Sequence, residues 1–314
     1  MSLAIGVDIG GTKVLAAVVD DEGRVLAEAR RDTPADDVVG VHGRIIEVIG
    51  ELVRDHRVDS IGVGAAGWID AARSTVMFAP NLAWRDEPLR DKIAADVDVP
   101  VVVENDANVA AWAEFRYGAA RGTESALLFT VGTGIGGGAI IEGRLLRGKH
   151  GVAAEFGHML AVPGGHVCGC GRHGCLEQYA SGNALVRFAR EMAAENDTAA
   201  GTLLALAGGD AKAINGPMVT EAAREGDPVA IAAFNRVGGY LGEGLADMAQ
   251  AFDPETFVIG GGVIEAGELL LAPARASYEK ALAARSRIPV ADVRAASLGV
   301  HAGVIGAADL SRTR

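Results

Sequence analysis

Three glycine clusters constrain the fold more than any other feature of this chain. Gly10-Gly11, the run from Gly132 to Gly138, and Gly260-Gly261-Gly262 each follow a short apolar stretch. Apolar runs of that length read as buried strands. Glycine at their ends turns the chain sharply or lets backbone N–H groups approach a partner closely. Glycine makes up 43 of 314 residues, about twice the usual ~7%. No three-residue period is present, which excludes collagen. The 49% hydrophobic content exceeds what a disordered chain carries. The longest charge-free stretch, Ser125 to Ile141, approaches the ~18–20 residues of a spanning helix. Its five glycines and two threonines make it strand and loop instead.

The elements expected around these clusters alternate. Strands are expected at 3–7 (ending at Asp8), 14–19 and 25–29, then a helix over 36–55. Val38, Val41, Ile45, Val48, Ile49 and Leu52 carry the helical spacing. A strand at 60–64, a helix at 89–97, a strand at 100–104 and a helix from Asn105-Asp106 to about Tyr117 follow. This order is mixed α/β, a sheet covered by helices. The pattern then partly repeats: strand 126–131, glycine turn, strand 137–141, then a turn into a strand. Glu22-Gly23-Arg24-Val25-Leu26 and Glu142-Gly143-Arg144-Leu145-Leu146 lie 120 residues apart, which suggests an internal duplication. Helices are expected at 176–195, 217–225 and 228–251, with a loop-rich connection at 195–216. A strand at 257–260, a helix to about 284, a strand near 290–296 and a last helix at 302–311 complete the chain. The glycines 238, 239, 242 and 244 within a helix suggest close helix packing.

Five constellations carry chemistry. Asp8-Ile9-Gly10-Gly11-Thr12-Lys13 offers backbone N–H groups and a hydroxyl to an anion, and Asp8 offers a hard oxygen ligand to Mg²⁺. Gly132-Thr133-Gly134 repeats the anion chemistry. Gly260-Gly261-Gly262, between strand and helix, provides flat backbone for a planar nucleotide. No Gly-x-Gly-x-x-Gly sits at an early strand-to-helix turn, which excludes a dinucleotide-binding Rossmann fold. Glu104-Asn105-Asp106-Ala107-Asn108 places carboxylates at a strand end and helix start, where phosphoryl transfer to an alcohol needs a local base. Cys168, Cys170 and Cys175 are an odd number within eight residues, a poor disulfide framework and a good metal cluster. With one histidine they make a closed tetrahedral zinc site. His150, His158, His166 and His173 compete for the fourth position.

Lys+Arg 29 against Asp+Glu 41 leaves a net charge of −12. Such a balance argues against nucleic acid or an anionic membrane as partner, and gives polyphosphate no support as a substrate. The first residues carry no basic segment, so a cytoplasmic protein without signal peptide is expected.

Taken together and in this order, the five motifs resemble the ROK family of bacterial sugar kinases over essentially the whole chain. Asp8 to Lys13 resembles the family's first phosphate motif, residues 131–138 the second, and 258–263 the adenosine motif. Residues 128–149 resemble its signature region, and Glu155-Phe-Gly-His158 with the cysteine cluster and Glu177 its zinc and sugar motif. The resemblance implies an actin-like ATPase (ribonuclease H-like) fold with two domains around a cleft. A small α/β domain, 1–108 completed by helix 298–314, would face a larger α+β domain, 109–297, carrying the zinc site. It implies ATP-dependent phosphorylation of glucose at the 6-hydroxyl, with Asp106 as general base. Gly67, Asn105, Asp106, Glu155, His158 and Glu177 would bind the sugar. Asp8, Gly10, Gly11, Thr12, Lys13, Gly132, Thr133, Gly134, Gly260, Gly261 and Gly262 would bind ATP and its phosphates. His158, Cys168, Cys170 and Cys175 would hold structural Zn²⁺, leaving one imidazole nitrogen for the sugar, and Mg²⁺ would accompany ATP. A homodimer or homotetramer is implied. Residues 64–68 read Gly-Ala-Ala-Gly-Trp, where many relatives have a proline before the second glycine. The competing readings are a kinase for N-acetylmannosamine or fructose, a non-catalytic sugar sensor, and a DNA-binding regulator. The last is disfavoured because the phosphate motif begins at Asp8 and the charge is acidic.

Overall fold

The computed structural model describes residues 2–80, 82–285 and 289–313. Its strands are β1 (Ala4–Ile9), β2 (Lys13–Val19), β3 (Val25–Asp32), β4 (Ser60–Ala65), β5 (Trp68–Ile69), β6 (Val76–Phe78), β7 (Arg85–Glu87), β8 (Val101–Asn105), β9 (Ala126–Val131), β10 (Ile135–Ile141), β11 (Arg144–Leu145), β12 (Thr256–Gly260) and β13 (Asp292–Ala295). Its α-helices are α1 (Val38–Val53), α2 (Leu89–Ala94), α3 (Asp106–Tyr117), α4 (Glu177–Ala180), α5 (Gly182–Glu195), α6 (Gly201–Leu206), α7 (Gly216–Arg224), α8 (Pro228–Phe252), α9 (Glu268–Ala281) and α10 (Ala302–Arg312).

Two five-stranded sheets have matching order, β3-β2-β1-β4-β8 and β11-β10-β9-β12-β13. In the first, β1 runs antiparallel to β2 and parallel to β4, which runs parallel to β8. The register pairs Asp8 with Gly64 and Gly64 with Glu104. Asp8 and the Asn105-Asp106 step therefore finish at one sheet edge, outside the carboxyl ends of parallel strands where ligands bind in open α/β sheets. In the second, β12 runs parallel to β13 and β10 antiparallel to β11. The matching order is what the repeated strand–turn–strand sequence suggested.

Contacts group the chain into two compact units, residues 1–128 with 137–154 and 296–314, and residues 129–136 with 155–295. In the first, α1 is capped by Asp37, whose side chain accepts from the Gly40 N–H, and buries Val41, Ile45, Val48, Ile49 and Leu52 against the sheet. The opposite side of β1 and β4 receives α10. A Cβ on Gly6 would overlap the Val304 carbonyl and one on Gly62 the Ala307 carbonyl. Only glycine lets α10 come this close. In the second unit the same device joins α8 to α9. A Cβ on Gly238 would meet Pro273 at 2.6 Å, and one on Gly242 would overlap the Ala274 carbonyl. The helical glycines 238 and 242 thus serve close packing.

The departures from expectation are local. The three-stranded sheet β5-β6-β7 carries no sequence signal, because strands of two or three residues show no alternation. The helix expected over 176–195 breaks at Ser181, whose extended backbone lets its hydroxyl cap α5 at Ala184 N–H. The connection 195–216 contains α6 and a 3₁₀ turn. The glycine triplet at 260–262 leads into a 3₁₀ turn, Gly262–Ala266, before α9 begins beyond Gly267. Among the described residues no helix is long and apolar enough to cross a membrane.

Candidate active site

In the first unit, β8 ends where α3 begins, and Asn105 is the joint. Its Oδ1 accepts from Asn108 N–H at 3.0 Å, capping the helix. Its Nδ2 donates to the Gly67 carbonyl at 3.0 Å and to Asp106 Oδ1 at 3.1 Å. Both amide hydrogens are thereby used, and one Oδ1 lone pair remains. Asp106 Oδ1 also accepts from Ala107 N–H at 2.9 Å, while Oδ2 takes no hydrogen bond among the described residues. Burial pushes the Asp106 carboxyl up to about 6, against the hydrogen bonds from Ala107 and Asn105. It is a carboxylate with one oxygen fixed and one free, poised to titrate near neutrality.

Asp8 is its neighbour in the field of charges. Burial first, then the Asp106 charge, push Asp8 up to about 6, and Lys13 opposes this. Its carboxylate accepts no hydrogen bond among the described residues. A Cβ on Gly303 would lie 2.7 Å from Asp8 Cγ, so the first turn of α10 packs on this carboxylate. A half-buried carboxylate without hydrogen-bond donors is a suitable oxygen ligand for a hard cation, whose charge would relieve the desolvation.

The two glycine turns are not explained by backbone strain. Gly10, Gly11, Gly132 and Gly134 all have φ outside the left-handed region. A Cβ on Gly10 would meet only Lys13 O at 3.7 Å, and one on Gly132 nothing within 4 Å. Gly10 N–H donates to Lys13 O at 3.0 Å and Gly132 N–H to Gly134 O at 3.0 Å. Thr12 and Thr133 stand exposed at the two turn tips. Gly134 differs, since a Cβ there would overlap Glu177 Oε2.

In the second unit, Gly132, Thr133 and Gly262 line one cleft of about 790 Å³ with Gly182, Asn183, Pro217, Thr220 and Arg224. The sequence reading assigned Gly132-Thr133 and the glycine triplet to one ATP site together with Asp8 to Lys13, and of these Gly132, Thr133 and Gly262 line this cleft. Gly182 N–H, at the start of α5, donates to the Gly132 carbonyl at 2.7 Å. Gly260 is buried at the strand end. Gly261 has φ 86°, and a Cβ there would meet Val131 O at 2.5 Å. Of the triplet, Gly261 is demanded by packing, and Gly262 faces the cleft with nothing within 4 Å of a Cβ.

The same unit carries the sulfur cluster. Ligand atoms of His158, Cys168, Cys170 and Cys175 all lie within 4.8 Å of one another. His158 Nδ1 is 3.6 Å from Cys168 Sγ, and Cys170 Sγ is 3.6 Å from Cys175 Sγ. A tetrahedral zinc with bonds near ~2.3 Å to sulfur and ~2.1 Å to nitrogen requires edges of roughly 3.6–3.8 Å, so this donor set fits. Of the four candidate histidines His158 is the one grouped with the cysteines, while His166 packs on Tyr179 and His173 Nδ1 lies 3.2 Å from Gly165 O. Nδ1 of His158 faces the sulfurs, and Nε2 lies 4.0 Å from Glu155 Oε2. Glu177 accepts from Ile135 N–H at 3.1 Å, and its other oxygen is 3.5 Å from Cys168 Sγ.

Sequence reasoning missed Arg73, Arg147 and Gly303 around the acids, and Asn183, Pro217, Thr220 and Arg224 in the cleft. None lies in a glycine, cysteine or acid cluster, so no local signal marks them.

Residues 4–314 match the profile of the ROK family. The chain is 50% identical over 312 residues to the glucokinase of Streptomyces coelicolor, covering 99% of this chain and 98% of that one. It is 34% identical over 317 residues to the N-acetylmannosamine kinase of Yersinia pseudotuberculosis, covering 100% and 99%. The crystal structure of a ROK family glucokinase from Streptomyces griseus, in complex with glucose and AMPPNP, superposes with a TM-score of 0.91. That protein is 50% identical, and 100% of each chain is covered.

Proposed function

The chain belongs to the ROK family, and on that footing we propose that it is an ATP-dependent glucokinase, transferring the γ-phosphoryl group to the 6-hydroxyl of glucose. The observation that carries the reading is Asp106, with Oδ1 held by two donors, Oδ2 free, and a carboxyl raised to about 6. Glucokinases at 50% identity over the whole chain support it. The fold is then the actin-like ATPase fold of such kinases.

Asp106 Oδ2 takes the proton of the 6-hydroxyl as that oxygen attacks the γ-phosphorus of ATP in line and the bond from that phosphorus to the departing ADP oxygen breaks. Gly67, Asn105, Glu155, His158 and Glu177 orient the sugar. Asn105 does so through its remaining lone pair, and His158 through Nε2. The N–H groups of Gly10 to Lys13 and Gly132 to Gly134 hold phosphate oxygens, and the cleft at Gly262 holds the adenosine. Asp8 is the residue that would anchor Mg²⁺ bound with ATP, whose charge would neutralise the phosphates. Zn²⁺, held by His158, Cys168, Cys170 and Cys175, would fix the loop that presents Glu155, His158 and Glu177. The chain acts in the cytoplasm as a homodimer or homotetramer.

The test is a coupled kinase assay with ATP across glucose, N-acetylmannosamine, mannose and fructose, repeated with polyphosphate as donor. Glucose is expected to give the highest kcat/KM. A preference of tenfold or more for N-acetylmannosamine, or no ATP-dependent turnover of any sugar, would overturn the assignment.

A further inference from the structure

Glu104 is the acid that the proposed chemistry leaves without a task. Its side chain is 2% exposed, deeper than Asp8 or Asp106. Oε1 accepts from Asn105 N–H at 3.0 Å and from Asn108 Nδ2 at 3.1 Å. Oε2 faces Arg73 Nε at 3.0 Å and Arg147 Nε at 2.6 Å. Three hydrogen bonds and the Arg147 ion pair surround the carboxylate, so it is committed to the protein rather than to a substrate hydroxyl.

The partners are themselves tied down. Arg147 donates to the carbonyls of Ala71 at 2.9 Å and Asp70 at 2.8 Å. The Arg73 carbonyl accepts from Val103 N–H at 3.1 Å. One carboxylate thus joins the end of β8, the first turn of α3, the 70–73 turn and the segment after β11. Asn108 is held twice, at its side chain by Glu104 and at its backbone N–H by Asn105. Asn105 then holds Asp106 Oδ1.

We propose that Glu104, anchored by Arg73 and Arg147, is a positioning residue that sets the orientation of Asp106 through Asn105 and Asn108. The inference rests on Asp106 being the base. A carboxylate presents two acceptor oxygens in one plane, one to the backbone and Asn108, the other to two guanidinium groups. A carboxamide presents one acceptor and turns donors toward the arginines. In a buried network that change is not absorbed by water. A base oxygen displaced by ~1 Å loses about 10²-fold in rate.

The experiment compares Glu104→Gln, Arg147→Lys and Arg73→Lys with the wild-type chain. Folded fraction is read from circular dichroism, glucose affinity from tryptophan fluorescence, and kcat and KM from steady-state assays. In folded Glu104→Gln, kcat falls about 30-fold or more, with glucose affinity and KM within about threefold. A residue that only supports the fold would lower the folded fraction and leave kcat per folded chain unchanged, which overturns the proposal. Should Glu104→Gln not fold, the two lysine variants decide by the same split of kcat against KM. Should the wild-type chain phosphorylate no sugar, the kinase reading falls separately. The crystal structure of Glu104→Gln then decides: Asp106 unmoved and still bridged to Asn105 overturns the positioning role.

Discussion

Gly10 and Gly132 occupy equivalent places in two sheets of the same strand order, 122 residues apart, yet what lies beneath each turn differs. At the same offset Asp8 corresponds to Thr130. Asp8 has a carboxylate without hydrogen bonds among the described residues, raised to about 6. Thr130 spends its hydroxyl on Gly136 N–H at 3.1 Å. The first turn closes from Gly10 N–H to Lys13 O and is steadied by Thr33, whose hydroxyl donates to the Gly10 carbonyl. The second closes one residue earlier, from Gly132 N–H to Gly134 O, and is braced by Glu177 at Ile135 N–H. A shared backbone device thus presents N–H groups twice. The charge beneath the first suits a cation and proton chemistry. The second turn, with a hydroxyl beneath it and the Glu177 carboxylate as its brace, opens on the cleft at Gly262.

The largest expected effect tests the acidic side of this contrast. Asp106→Asn should lose at least ~10³-fold in kcat while its melting temperature at pH 7 rises. The sign follows from linkage. A folded pKa of about 6 against the ordinary aspartate value of 3.8 means the native state binds more protons between those pH values. Stability contributed by the protonated acid is therefore lost as pH rises toward 6 and above. A melting temperature that falls in Asp106→Asn would contradict the raised pKa. Next, Asp8→Asn should cost roughly 10–100-fold in kcat and weaken Mg²⁺ dependence, whereas Thr130→Val should cost under about threefold. Equal losses would erase the distinction between the turns.

The candidate zinc ligands His158, Cys168, Cys170 and Cys175 lie wholly in the second unit. Metal analysis of pure protein should find one zinc per chain, and Cys170→Ser should release it and lower the melting temperature. Zinc-free protein of unchanged stability would refute a structural role. Smaller effects separate the glycines. Gly132→Ala should fold normally and raise the ATP KM about tenfold. Gly261→Ala should lose about 1–3 kcal/mol of stability, since its φ of 86° suits only glycine. A wild-type ATP KM in Gly132→Ala would remove that turn from the phosphate site. Finally, kcat/KM should rise with pH to a plateau above about 6, where burial places both acids. An acid limb near 4 would show that Asp106 titrates like an exposed carboxylate.

Much of this was legible from local chemistry. The strands at 4–9, 60–65 and 126–131, the helix from Asp106 to Tyr117 and the cysteine cluster all announce themselves within a few residues. Apolar run length, helical spacing and an asparagine cap are short-range properties. The small sheet at 68–87 was silent because its strands are too short for a period. The break at Ser181 was hidden because apolar spacing continues across it and one hydroxyl cap decides the direction. Glu104 was visible as part of a polar group, but its arginine partners lie 31 and 43 residues away and follow no motif.

The sequence by itself determined the alternation of strands and helices, the three glycine turns, the Asn105-Asp106 step and the metal-binding residue types. These depend on the covalent neighbourhood, which travels with the chain. Spacing left four histidines open and the family resemblance pointed to His158; the tertiary structure groups His158 with the sulfurs. It also decided that Gly132 and Gly262 share a cleft, that Gly261 is required by the Val131 carbonyl, and that Glu104 is held by three hydrogen bonds and an ion pair. Such convergence is set by packing across large sequence separations, where distance and direction decide which groups meet, and neither is encoded in spacing.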